Sequence, residues 1–172
     1  MRKHRPTFIA AIAIGLLAGA PFGVAAQAQD SMEAASVTGA IGGWREVSAG
    51  TASTVDGIKS TSDVVHEARW TTSDERLSGD VTYNGNRLDT QGISIQSGTY
   101  EVINDGGTWL GDATAYGSES LGIDMDTIIL TGHGTYEGLI AYVVLDFGKP
   151  REITAVIFPS SMLPMPDSHP AE

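Results

Sequence analysis

Apolar and polar residues alternate with period two along most of the chain. Val64, His66, Ala68 and Trp70 share one face of a stretch whose opposite face carries Asp63, Glu67 and Arg69. Leu77, Gly79, Val81 and Tyr83 alternate with Ser78, Asp80 and Thr82. A period of two puts successive side chains on opposite sides of a pleated strand. Further strands are predicted at about 36–47, 92–96, 98–103, 108–116, 125–132, 139–146 and 152–158. Asn84-Gly85 predicts a hairpin turn, because both residues tolerate positive φ. No window in the body of the chain carries a convincing 3.6-residue period. Strands divided by turn residues, with no helices between them, predict an all-β domain built as a sandwich or barrel.

Proline and glycine sharpen that expectation. No proline lies between Pro21 and Pro150, whereas most glycines fall between Gly39 and Gly148. Proline removes a ladder donor and is avoided in central strands, while glycine supplies turns and bulges. From Met125 to Phe158 the alternation fails. Ile128 and Leu130 are backed by Ile129; Leu139, Ala141, Val143 and Leu145 by Ile140, Tyr142 and Val144; Ile153, Ala155 and Ile157 by Val156 and Phe158. A strand whose outer face meets water is polar on that face. Something is therefore expected to cover this sheet, either the Met162–Met165 stretch of the tail or a second copy in a homo-oligomer, a dimer or trimer.

The ends of the chain read differently from its body. Arg2, Lys3 and Arg5 precede an apolar run from Phe8 to Ala20, and Ala26-Gln27-Ala28 follows. A basic start, a short apolar core and a small-x-small exit are the parts of a secretory signal peptide. Counting Phe22 to Ala26 into the run leaves an uncleaved anchor as the alternative. There is no Arg-Arg pair, so a Sec-type route to the periplasm or the exterior is expected, with cleavage after Ala28. The layout is then a signal peptide over 1–28, a linker over 29–35, a barrel domain over 36–160 and a flexible proline-rich tail over 161–172. Three basic residues and no acidic ones leave with the peptide, so the remainder is more acidic than the −11 of the whole chain. That charge repels nucleic-acid backbones and anionic membrane surfaces. The chain has no cysteine, which excludes thiolate metal sites, cysteine nucleophiles, disulfides and a lipid anchor.

Thr131-Gly132-His133-Gly134-Thr135-Tyr136-Glu137-Gly138-Leu139 resembles the glycine-rich signature of the allene oxide cyclase and dirigent superfamily, where a Gly-x-Gly-x-aromatic turn precedes a late barrel strand. Thr72-Ser73-Asp74-Glu75-Arg76-Leu77-Ser78-Gly79 and Gly107-Thr108-Trp109-Leu110-Gly111 resemble an uncharacterised secreted branch of it. The resemblance implies a single antiparallel eight-stranded barrel with a lumen, often assembled as dimers or trimers. It places no functional residue of those families on this chain.

Candidate chemistry is sparse. The glycines at 132, 134 and 138 miss the dinucleotide fingerprint by one residue and precede a strand, so they are expected to build a turn and a bulge. His133 and Glu137 offer two metal ligands where zinc needs three or four. Asp124-Met125-Asp126 and Asn104-Asp105-Gly106-Gly107 look like acidic turns and miss the calcium-loop pattern. No metal and no cofactor is expected. His66, on the apolar face with Val64 and Trp70, is the candidate acid/base, set against a buried hydrogen-bonded histidine. His66, Trp70, Tyr83, Tyr100 and Trp109 are the candidate ligand-binding residues, set against side chains that merely fill the barrel. The expected function is non-enzymatic binding of a small apolar or aromatic ligand in the lumen. The alternatives are a cyclase or isomerase acting there, and a structural module with a filled barrel.

Overall fold

The computed structural model describes residues 33–148 and 150–163. The expected signal peptide and residues 164–172 of the expected tail lie outside these. Eight strands follow one another: β1 (Ala35–Val55), β2 (Ile58–Thr72), β3 (Gly79–Thr90), β4 (Ile93–Asn104), β5 (Gly107–Ser118), β6 (Ile123–Gly134), β7 (Leu139–Asp146) and β8 (Glu152–Pro159). Each pairs antiparallel with its neighbours, and β8 returns to β1, so that one sheet closes in a ring. Closure satisfies ladder groups that an open sheet would leave at its edges.

Turn chemistry sets the register. Asp56 and Gly57, at φ 49° and 78°, join β1 to β2, and Gln91 and Gly92, at 47° and 79°, join β3 to β4. Two successive positive φ values give the tight turn whose twist matches flanking strands. Asn84-Gly85 makes no turn. Both lie inside β3, with Asn84 opposite Thr99 and Gly85 opposite Gly98. The Tyr83 ring lies against Gly85 and Gly98, and a Cβ at either would collide with it. Glycine here serves a close approach rather than a bend. For the same reason the expected strands at 92–96 and 98–103 are one strand, β4, with Gly98 in its middle.

The interior is packed. Trp70, Tyr100, Trp109, Leu77, Ile128, Leu130, Leu145 and Ile153 are among the fully buried side chains. Eight strands leave a bore just wide enough for side chains, and here aromatic rings and aliphatic side chains fill it together.

The two ends differ. At the end where β2 leads to β3, a 3-10 turn (Glu75–Leu77) drops Leu77 into the bore. Burying a leucine stabilises by about 1.5–3 kcal/mol. Trp109 Nε1 donates to the Arg76 carbonyl at 2.7 Å, and Asn104 Nδ2 donates to the carbonyls of Arg76 at 3.0 Å and Ser78 at 2.7 Å. Tyr136 stacks on Trp109 with centroids 5.2 Å apart and donates to Asn104 Oδ1 at 2.6 Å. The three glycine-rich stretches of the sequence thus meet here and close this end. Gly134 and Gly138, at φ 72° and 81°, shape the turn that carries Tyr136. At the opposite end β1 to β5 run past β7 and β8, and the bore stays open.

Candidate functional site: a polar cavity at the open end

His66 on β2, Tyr83 on β3 and Tyr100 on β4 face one another across paired strands, because His66 is in register with Tyr83 and Tyr83 with Tyr100. Inward parity turns all three into the bore. Their rings form a chain, with centroids 6.1 Å apart for His66–Tyr83 and 5.0 Å for Tyr83–Tyr100. Asp126 joins them from β6, on the inward parity of Ile128 and Leu130. The Tyr100 hydroxyl donates to Asp126 Oδ2.

Trp44 completes the wall through an irregularity. Val37 and Ile41 point inward, so strict alternation would send Trp44 outward. The register shifts between Gly42 and Arg45, and Gly43 has φ 61°. A bulge of this kind re-aims the following side chain. Trp44 consequently stacks on His66, centroids 4.8 Å apart at 23°, and meets the edge of Phe147 at 4.8 Å and 69°. Arg87, Gln96, Asp124 and Arg151 form the rim. These groups enclose a cavity of about 170 Å³. An open cleft of about 700 Å³, lined in part by Ser94, Gly117 and Ser118, shares Arg87, Gln96 and Asp124 with it. A small deep chamber therefore sits behind a wider vestibule.

The electrostatics follow from burial. Asp126 is 5% exposed, and removal from water raises its carboxyl from the usual 3.8 to about 6. The Tyr100 hydrogen bond opposes that rise and the nearby Asp124 adds to it. Burial likewise lifts Tyr83 to about 12 and Tyr100 well above the ordinary phenol value, with Asp126 adding to both. Asp124 is raised, mainly by burial, with Arg87 and Arg151 pulling it down. His66 is lowered, again chiefly by burial, so it is neutral at physiological pH. Two buried polar atoms on the wall have no protein partner: the Tyr83 hydroxyl and His66 Nδ1. Buried polar groups normally find one.

Of the five residues expected to bind ligand, the cavity gathers His66, Tyr83 and Tyr100. Trp70 lies deeper, fully buried, 5.9 Å from Tyr100 by centroid. Trp109 belongs to the closed end. Asp126, Trp44 and Phe147 were not among the expected site residues. The parity of Asp126 with Ile128 and Leu130 was available as a signal, and so was that of Phe147 with Leu145. Trp44 had none, because a bulge reverses it. Asp124-Met125-Asp126, expected as a turn, is part of β6. No family model, no curated protein and no solved structure matches the chain.

Because Asp126 binds its proton more tightly in the folded state, folding gains stability from the protonated carboxyl at low pH. Between about pH 4 and about pH 6 the folded chain keeps a proton that the unfolded chain has released, so this contribution is lost as pH rises through the window and stays absent above it. His66, with its value lowered from 6.5, acts in the opposite direction below that pH. Comparison with Asp126→Asn isolates the carboxyl. Denaturant melts from pH 4 to 7 should show wild type losing on the order of 2–3 kcal/mol relative to the variant. Parallel profiles would contradict a buried, proton-retaining Asp126.

Proposed function

We propose that the open end of this sheet binds a small ring-bearing molecule whose hydrogen-bonding head reaches Asp126, Tyr83 and His66. One observation carries this: the buried carboxyl of Asp126 lines the same chamber as Tyr83 and His66, each of which has a buried side-chain atom without a protein partner. Pockets for small molecules are mostly apolar surfaces with a few convergent polar groups. The rings of Trp44, Phe147, Tyr83 and Tyr100 supply the apolar part of a chamber whose lining is mainly polar. At about 170 Å³ the chamber has the volume for a single ring, and any longer tail lies in the vestibule. The packed interior favours binding at this end over the middle of the lumen. The glycine-rich turns support an allene oxide cyclase-like barrel as the ancestry of the fold, and the basic-apolar N-terminus supports export to the periplasm or exterior through a Sec-type signal.

A second function, proton transfer in a cyclase or isomerase, is favoured by one specific feature. Asp126 lies near neutrality in its ionisation and is hydrogen-bonded by Tyr100, which pairs a base with a positioned phenol. General acid–base groups are most effective near the operating pH.

We also propose that the protein self-associates through the outer face of β6 to β8. Ile129 is 56% and Tyr142 43% exposed, and they are direct cross-strand partners. Val144, Val156 and Phe158 are half-buried around them. The outer face of β1 to β3 carries the Arg45–Glu67 and Arg69–Asp80 ion pairs, whereas the rows through Ile129, Tyr142 and Val156 carry no charge past Asp112. A second copy of this acidic chain meets least repulsion on that face, and apolar patches on soluble proteins mark interaction surfaces.

Both proposals are measurable. Ring fragments with hydroxyl, carboxylate or amine heads should include binders that change tryptophan emission, and Trp44→Phe should remove the change while Trp109→Phe leaves it. No response to any fragment, or a response that survives Trp44→Phe, would count against the site. In sedimentation, wild type should run as a dimer or trimer and Ile129→Asp as a monomer; a monomeric wild type would refute self-association.

A further inference from the structure

The chamber at the open end is rich in acceptors and ring faces, with Arg87 and Arg151 at its rim, and among the described residues its buried carboxyl forms no ion pair. Among the described residues no arginine or lysine forms an ion pair with Asp126, whose one hydrogen bond comes from Tyr100. The rim cations are engaged elsewhere. Arg87 donates to Asp89 at 2.7 Å, and the Arg151 guanidinium lies 6.0 Å from the centre of the Phe147 ring. Both act on Asp124, the outer of the two carboxylates, and Arg87 acts also on His66, whereas neither shifts Asp126. A carboxylate taken out of water without a counter-charge is costly, and a protein leaves it so only where it protonates or where a ligand brings the charge.

The remaining wall atoms point the same way. The Tyr83 side chain is 3% exposed and its oxygen is unpartnered. His66 Nε2 lies 4.0 Å from Glu46 Oε2, beyond hydrogen-bond reach, and Nδ1 has no partner; with the proton on Nε2, Nδ1 is an acceptor. Around these acceptors stand the faces of Trp44, Phe147, Tyr83 and Tyr100. Aromatic faces attract organic cations through the ring quadrupole. The whole chain carries −11, which raises the local concentration of cations over anions.

We propose that the ligand of this cavity is a protonated organic amine, its ammonium group received by Asp126, the Tyr83 oxygen and His66 Nδ1 and its carbon frame by the surrounding rings. The inference rests on the proposed ligand site and names its ligand class. An ammonium supplies several donors to three acceptors and one positive charge to one unpaired carboxylate. A carboxylate head would meet Arg87 and Arg151 only at the rim and would face Asp126 inside.

The pH dependence follows from the titratable and charged groups that line the chamber with Asp126. These are Tyr100 on β4, Tyr83 and Arg87 on β3, His66 on β2, Asp124 on its own strand and Arg151 before β8. Ionisation of Asp126 and loss of any proton from His66 both favour a cation as pH rises.

Calorimetric titration of the purified protein with benzylammonium, benzyl alcohol and benzoate tests this. Benzylammonium should bind, and its affinity should rise about tenfold from pH 5 to pH 7 as the ionised fraction of a group titrating near 6 goes from about a tenth to about nine-tenths. Asp126→Asn should weaken it at least tenfold and flatten the pH profile. Tyr83→Phe, which keeps the ring and the fold, should weaken it severalfold, so the test stands even if the aspartate variant folds poorly. Benzyl alcohol or benzoate binding as tightly as benzylammonium would overturn the amine while leaving the ligand site intact. Failure of all three probes to bind would overturn both.

Discussion

Pairing of Ala35–Ala40 with Ile157–Glu152 turns a meander of hairpins into a closed sheet, and most other features follow from it. A ring of eight strands encloses a bore of fixed width, and that bore must be filled or flooded. This chain fills it with Trp70, Tyr100, Trp109 and aliphatic side chains from β6 to β8. A filled bore leaves the ends as the places where a small molecule can be held. One end is closed by Leu77 and by the Trp109, Asn104 and Tyr136 hydrogen bonds. The chamber that His66, Tyr83, Tyr100 and Asp126 line lies toward the other.

At that open end two demands conflict. The ring must be continuous, so inward parity fixes which residues meet, and β6 delivers a carboxyl one step beyond its last large aliphatic side chain. Removing Asp126 from water is unfavourable, and the Tyr100 hydrogen bond offsets only part of that cost. Such residues weaken the fold relative to an apolar substitute, which is why a buried carboxyl lacking a counter-ion is informative about function. The bulge at Gly42–Arg45 adds to the same picture, since it departs from regular pairing and turns Trp44 onto His66.

Much of the fold was legible in the residues. Alternation in Val64–Trp70 and Leu77–Tyr83 marks strands, and the absence of helical period and of internal proline marks a continuous antiparallel sheet. Local turn rules misplace one hairpin. Asn84-Gly85 has the right chemistry for a turn, yet its glycine makes room for the Tyr83 ring, a long-range requirement that a dipeptide does not display. Three of the five expected site residues meet at the cavity because face parity is a local property. Trp70 and Trp109 share that parity but sit at other heights in the bore, and height depends on register across several strands. Trp44 was hidden by a bulge, and Asp126 by resemblance to an acidic turn.

The most direct test of this account is the ionisation of one carboxyl. A carbon-13 NMR titration of the aspartate side chains, with Asp126→Asn assigning the resonance, should place the Asp126 midpoint near 6. A midpoint at or below the ordinary 3.8 would mean that the carboxyl is solvated or already paired, and the open-end cavity would lose the group on which its proposed chemistry depends.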